Sequence, residues 1–263
     1  MRIVSLCPSL TELVFDLGRG GDLVGITDWC VHPVERVGAI EKVGGTKTPK
    51  IQRILELAPD LVLMNEEENR IEDAQALEKG GLRLHVSMPR DAAATAAMVR
   101  SIGAALGKPD DAERIASDIE ARTRRVVARA RGKTIVTWAY LIWRKPWMSV
   151  NRDTFVSALL DQAGARNVFA DAAERYPTIE VSDLIAKAPR IVFLCTEPFP
   201  FKDKYCDELA DLTGFDRDRF VIADGELLSW HGSRTPRGID YAEDLIVAAR
   251  VRDSQRSPDC EPS

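Results

Sequence analysis

The 263 residues are 45% hydrophobic and carry a formal charge of −5, from 36 basic and 41 acidic side chains. That is enough apolar material for one large domain or two small ones, and the balance excludes the clustered basic face of a nucleic-acid binder. No stretch approaches the ~18 apolar residues of a membrane span, and five widely spaced cysteines (Cys7, Cys30, Cys195, Cys206 and Cys260) point to buried free thiols rather than a disulfide framework.

The chain opens directly on a strand over residues 2–6. No apolar core or small-residue cleavage site precedes it. A complete chain would therefore be cytoplasmic, and the alternative is a removed leader. Ser9 is expected to cap the next helix, with Glu12 closing a capping box. Leu10, Leu13, Val14 and Leu17 follow at helical spacing, and Gly18 ends the run. Residues 23–27 read as a strand, 51–58 as a helix stopped by Pro59, and 60–64 as a buried strand. A helix over 69–79, a strand over 82–87 and a helix capped by Asp91 complete this half. Strands alternating with helices predict an α/β fold with parallel sheets covered on both faces.

Residues 109–131 are different in kind: charged, with no internal Gly or Pro. A helix of that length spans roughly 35 Å, long for a small α/β lobe, so it is read as a link between two lobes. The pattern then restarts. Strands are expected at 134–140, 190–195 and 219–223, with helices capped by Asp153, at 182–187 and from Thr235-Pro236. The domain reading is an N-terminal α/β lobe at 1–107, a linking helix at 108–132, a C-terminal α/β lobe at 133–252 and a disordered tail at 253–263. Residues 51–64 (IQRILELAPDLVLM) echo 181–194 (VSDLIAKAPRIVFL), and Ile3-Val4-Ser5 echoes Ile135-Val136-Thr137, at offsets of 130 and 132. Two echoes at nearly one offset predict two similar Rossmann-like lobes, with a ligand cleft at the carboxyl ends of their strands.

Enzyme signatures fail. Gly18-Arg19-Gly20-Gly21 lacks the third glycine of a dinucleotide loop and follows a helix, and Gly44-Gly45-Thr46-Lys47-Thr48 has the wrong order for a P-loop. Three histidines, His32, His85 and His231, leave little for acid–base chemistry. The tryptophans are more informative. Trp29, Trp138, Trp143, Trp147 and Trp230 all fall at or just beyond predicted strand ends, and Tyr140 lies among them. Core anchors are one reading; the other is a cleft lining for a large, flat, partly apolar ligand. Cys30 and His32 are either ligands to a transition metal or a packed thiol and a hydrogen-bonded imidazole. His231 offers a second imidazole, and Arg70, Arg144 and Arg234 suit carboxylate or phosphate groups. Glu67, in the run Glu66-Glu67-Glu68, falls on Glu197 at the 130-residue offset. Such a symmetric pair suits arginines on a two-fold partner.

Five stretches carry a family resemblance: RIVSLCPSLTE (2–12), VGITDWCVHP (24–33), KVGGT (42–46), PDLVLMNEEENR (59–70) and WRKPWMSVNRDTF (143–155). They are similar to the class III, helical-backbone periplasmic solute-binding proteins of ABC importers, the Fe/B12 type, most of all the cobalamin-binding branch. The resemblance implies two lobes joined by one rigid helix, a monomer without catalysis or a cofactor of its own, and a corrinoid or other metal chelate as ligand. It implies a permease dimer with ATPase subunits as partner, no nucleic acid, and a periplasmic place of work. It adds Ser9 and Asn69 to the ligand-binding set of Trp29, Cys30, His32, Arg70, Trp143, Arg144, Trp147, Trp230, His231 and Arg234. Glu67 and Glu197 take the place of the docking glutamates. Receptors for haem, ferric siderophores or metal ions on the same fold are the alternative, as is a cytoplasmic corrinoid-handling protein or enzyme.

Overall fold

A computed structural model describes residues 1–256. The chain forms two compact units. The first carries β1 (Ile3–Ser5), α1 (Pro8–Asp16), β2 (Leu23–Ile26), α2 (Val34–Val37), β3 (Gly44–Gly45), β4 (Thr48–Pro49), α3 (Ile51–Leu57), β5 (Leu61–Asn65), α4 (Ile71–Lys79), β6 (Leu84–Ser87) and α5 (Ala92–Ala105). Then comes α6 (Pro109–Ala130), whose residues up to Ile119 group with the first unit and those from Glu120 with the second. The second unit carries β7 (Val136–Leu141), β8 (Trp147–Met148), α7 (Phe155–Gln162), β9 (Ala165–Asn167), β10 (Thr178–Ile179), α8 (Val181–Lys187), β11 (Ile191–Cys195), α9 (Asp203–Thr213), β12 (Phe220–Ala223), α10 (Gly225–Ser229) and α11 (Thr235–Arg256). Of the expected tail, residues 253–256 belong to α11 and 257–263, with Cys260, lie outside the described residues.

Each unit is built on a four-stranded parallel sheet, in the orders β2-β1-β5-β6 and β12-β11-β7-β9. Matching β1 with β7 and β5 with β11 makes the two orders the same. The repeat seen in the sequence is therefore a repeat of topology. Its hallmark is local: α3 and α8 both end on an alanine in the left-handed region, Ala58 at φ 44° and Ala188 at φ 42°, with a proline next. The fold is thus α/β, with two Rossmann-like units and mainly parallel sheets, as the alternation of elements predicts.

Continuous apolar runs make strands buried on both faces. β5 and β11 are buried along their whole length. In the first unit Val4, Leu6, Val62 and Met64 pack with Ile54 and Leu57 of α3 and Leu77 of α4. Close approach decides one position there: a Cβ on Gly103 of α5 would lie 2.1 Å from the Cβ of Ala112 on α6. In the second unit Arg122 and Arg125 of α6 pair with Asp240 of α11, and Arg129 with Glu243 at 3.3 Å.

Two caps differ from expectation. Pro8 takes the first helical turn of α1, so Cys7 is the cap residue and Ser9 lies inside the helix. Glu12 pairs instead with Arg234, at 2.5 Å. For α7 the cap is Thr154, whose hydroxyl accepts from the Ser157 N–H, while Asp153 pairs with Arg90 and Arg175. Trp138 and Tyr140 also differ: both are buried within β7, 0% and 1% exposed, and line no opening. The Trp138 indole N–H donates to Asp161 at 3.1 Å.

Burial pushes the Asp161 carboxyl up to about 6, against the pull of that indole and neighbouring donors. Relative to the unfolded chain, folding therefore favours the neutral form. Its contribution to stability is fully present below the ordinary carboxylate range and is lost as pH rises through about 6. Asp161→Asn is expected to flatten the pH dependence of the urea midpoint between pH 4 and 6. An unchanged slope would refute this assignment.

Candidate functional site

In parallel sheets the loops beyond the strand carboxyl ends present the functional side chains. In the first unit the loop after β2 carries Trp29, 64% exposed, then buried Cys30 and half-buried His32. Residues Trp230–Arg234 group with this unit rather than with the C-terminal half. They bring Trp230 edge-on to His32, with ring centroids 5.5 Å apart. The Arg234 guanidinium lies 4.7 Å from the Trp230 ring and is held by Glu12 at 2.5 Å. His231 is buried, its Nε2 3.3 Å from the Asn65 amide nitrogen.

The other expected residues of this unit are Cys30, Ser9 and Asn69, which are buried, and Arg70, which is exposed. The Cys30 sulfur sits 3.0 Å from the Thr11 hydroxyl and 3.1 Å from that of Thr27. Burial raises its thiol, the packed-thiol alternative of the sequence reading. Among the described residues no group of three or more His, Cys, Asp or Glu is placed to hold a metal ion. Ser9 is buried with its hydroxyl 3.3 Å from the Cys7 sulfur. Asn69 is buried and donates to the carbonyls of Leu6 and Thr46. Arg70 is exposed at the cap of α4.

Glu67 and Glu197 occupy equivalent places, just past β5 and β11. The Asn65 side-chain oxygen accepts from the Glu67 and Glu68 N–H groups at 2.9 and 3.1 Å. Glu197 lies against Gly225, where a Cβ would come within 2.6 Å of its Cγ. Any other residue at 225 would push Glu197 aside.

The second unit holds an aromatic wall. Trp143, 41% exposed, meets Phe199 at 5.6 Å, and Trp147 stacks on Phe201 at 6.1 Å with 6° between planes. Phe199, Phe201 and Tyr205 close the cluster, with centroids 4.6 to 5.6 Å apart. Arg144 lies 5.8 Å from the Trp147 ring and 5.3 Å from that of Tyr205. Its guanidinium takes both Glu208 oxygens, at 3.1 and 2.6 Å. An apolar aromatic cluster with an oriented cation beside it is the kind of surface a large, partly apolar ligand with acidic edges would need. Of this cluster, Trp143, Arg144 and Trp147 were expected at a ligand site from the sequence, and Phe199, Phe201, Tyr205 and Glu208 were not. Phe199-Pro200-Phe201 follows a strand end, the same signal that singled out the tryptophans.

The thiols give a direct check on this packing. Burial pushes Cys7 and Cys195 up to about 12 and Cys206 to about 11. A thiol that is not ionised and not exposed reacts slowly. In a Cys260→Ser protein at pH 8, Ellman's reagent is expected to find less than one fast thiol in the native state and four after denaturation. Rapid stoichiometric labelling of the native protein would contradict it.

Comparison with known proteins agrees with this architecture. A periplasmic binding protein family model matches residues 3–213. The chain is 22% identical to the vitamin B12-binding protein of Vibrio cholerae over 254 residues, 97% of this chain and 91% of that protein. The crystal structure of the periplasmic vitamin B12 binding protein of Vibrio cholerae superposes with a TM-score of 0.83 at 21% identity, over 95% of this chain and 97% of that one. The periplasmic heme-binding protein RhuT of Roseiflexus sp. RS-1, in apo form, superposes with a TM-score of 0.81 at 26% identity, over 95% and 98%. The chain belongs to the periplasmic binding protein family.

Proposed function

We propose that the protein is the solute receptor of an ABC importer and captures a corrinoid, cobalamin or a close relative, without catalysis. The observation that carries this reading is the aromatic wall of the second unit, with Arg144 clamped in place by Glu208. The tryptophan and phenylalanine faces would cover the macrocycle, and the guanidinium would hold its polar side chains. Membership of the family supports the receptor role, and the name of the Vibrio cholerae relative supports the corrinoid. On this reading the protein works in the periplasm and docks Glu67 and Glu197 on a permease dimer with its ATPase subunits.

Haem is the second reading, favoured by the likeness to the Roseiflexus protein. Both ligands are metal tetrapyrroles, and aromatic side chains could pack against either. The test is a titration of the purified protein with cyanocobalamin and, separately, hemin, following tryptophan fluorescence. Saturation at one equivalent with micromolar or tighter affinity is expected for one of them, the corrinoid on the first reading. A flat response to both would end the tetrapyrrole reading.

A further inference from the structure

The second unit has a surface cavity that the proposed receptor role does not use. It lies at the edge of the sheet, beside β9, with a volume of about 570 Å³. That is within the roughly 300–1,000 Å³ of small-molecule sites. No residue of the aromatic wall lines it.

Its charges run against those of the chain. The protein carries a net −5, yet three cations, Arg152, Arg166 and Lys187, converge here against two carboxylates, Asp161 and Asp171. The cations come from three separate elements: Arg152 from the loop before α7, Arg166 from β9 and Lys187 from the end of α8. Arg166 alternates with buried Ala165 and Asn167, so its side chain points away from the core. A charge on an edge strand can serve to keep that edge unpaired. Arg152 and Lys187 lie off the strand, and that role does not explain them.

The carboxylates leave two of the three cations unmatched. The Asp161 carboxyl is half-buried and takes the Trp138 indole N–H at 3.1 Å. Asp171, 86% exposed, pairs with Arg152, and a pair so open to water is weak. Arg166 and Lys187 have no carboxylate partner among the described residues. The Lys187 ammonium lies instead 5.4 Å from the centre of the buried Phe169 ring, a cation–π contact that holds it at the cavity. Cations gathered in one concave surface raise the local concentration of anions. A guanidinium can then take two oxygens of a carboxylate or phosphate at once.

We propose that this cavity binds a small organic anion with at least two oxyanion groups, one met by Arg166 and the other by Lys187. The inference stands apart from the tetrapyrrole reading, because none of these residues belongs to the aromatic cluster.

Calorimetric titration of the full chain at constant ionic strength tests it, with citrate as a polycarboxylate, ATP as an organic polyphosphate and sulfate as an inorganic control. Saturable binding of citrate or ATP at one per chain is expected, and the one that binds names the oxyanion class. Arg166→Gln and Lys187→Gln, both changes of exposed side chains, should each weaken it by about tenfold. Arg124→Gln, at an exposed residue of α6, and Trp143→Ala, in the aromatic cluster, should leave it unchanged. Absence of binding by both organic anions overturns the proposal. So does binding that the Arg166 and Lys187 variants leave intact, that Arg124→Gln weakens equally, that Trp143→Ala removes, or that sulfate matches in affinity.

Discussion

Replacing Trp138 by alanine is expected to be the most damaging single change in the second unit. The side chain is fully buried in β7, and its indole N–H meets Asp161 at 3.1 Å. Truncating a buried aromatic of this size costs about 3–5 kcal/mol from lost transfer energy and the cavity left behind. The change also strips a donor from a carboxyl that burial already disfavours. The two parts are separable. Trp138→Phe retains most of the packing and loses only the N–H, which should cost roughly 1–3 kcal/mol. It should also move the Asp161 titration further up. Equilibrium urea unfolding of the three proteins checks the order. Equal losses for alanine and phenylalanine would show that packing is not the larger effect.

Asn65→Ala is expected to be the most damaging polar change in the first unit. One buried amide, at the end of β5, organises the whole turn that follows. Its oxygen accepts from Glu67 and Glu68, and its nitrogen donates to the Ser87 carbonyl at 2.9 Å and lies 3.3 Å from His231. Alanine would leave buried polar groups of the turn and of β6 without their partner. At about 1–3 kcal/mol for each group left unsatisfied, the sum is on the order of 3 kcal/mol. Asn65→Asp keeps the acceptor for both amide N–H groups but loses the donor to Ser87. It is expected to cost less than alanine and to leave the turn formed. Thermal unfolding gives the stability order, and amide exchange at Glu67 and Glu68 reports the turn. Protected amides in the alanine protein would contradict this role.

Much of the fold was legible because it is written in periodicity. The alternation of buried strands with helices, the long charged segment that becomes α6, and the echo of 51–64 in 181–194 depend on spacing, and spacing survives folding. The echo reappears as α3–β5 and α8–β11, down to the left-handed alanines before each proline. What was not legible depends on single side chains. Ser9 has the right chemistry for a cap, but Pro8 starts the helix one residue earlier. Trp138 lies in the same short stretch as Trp143 and Trp147, yet a strand position within a doubly covered sheet turns it inward. Phe199 and Phe201 carry no periodic signal, and only the loop after β11 brings them to Trp143 and Trp147. Likewise, that residues 230–234 group with the first unit rather than with the half that encodes them is a long-range contact no local pattern announces.

The proposed role is that of a receptor for a metal tetrapyrrole. Native mass spectrometry of the protein with an equimolar mixture of cobalamin, hemin and a ferric chelate tests it most directly. The account predicts one dominant adduct, at one ligand per chain and with the mass of a tetrapyrrole. Retention of the ferric chelate alone, or of none of the three, would contradict it.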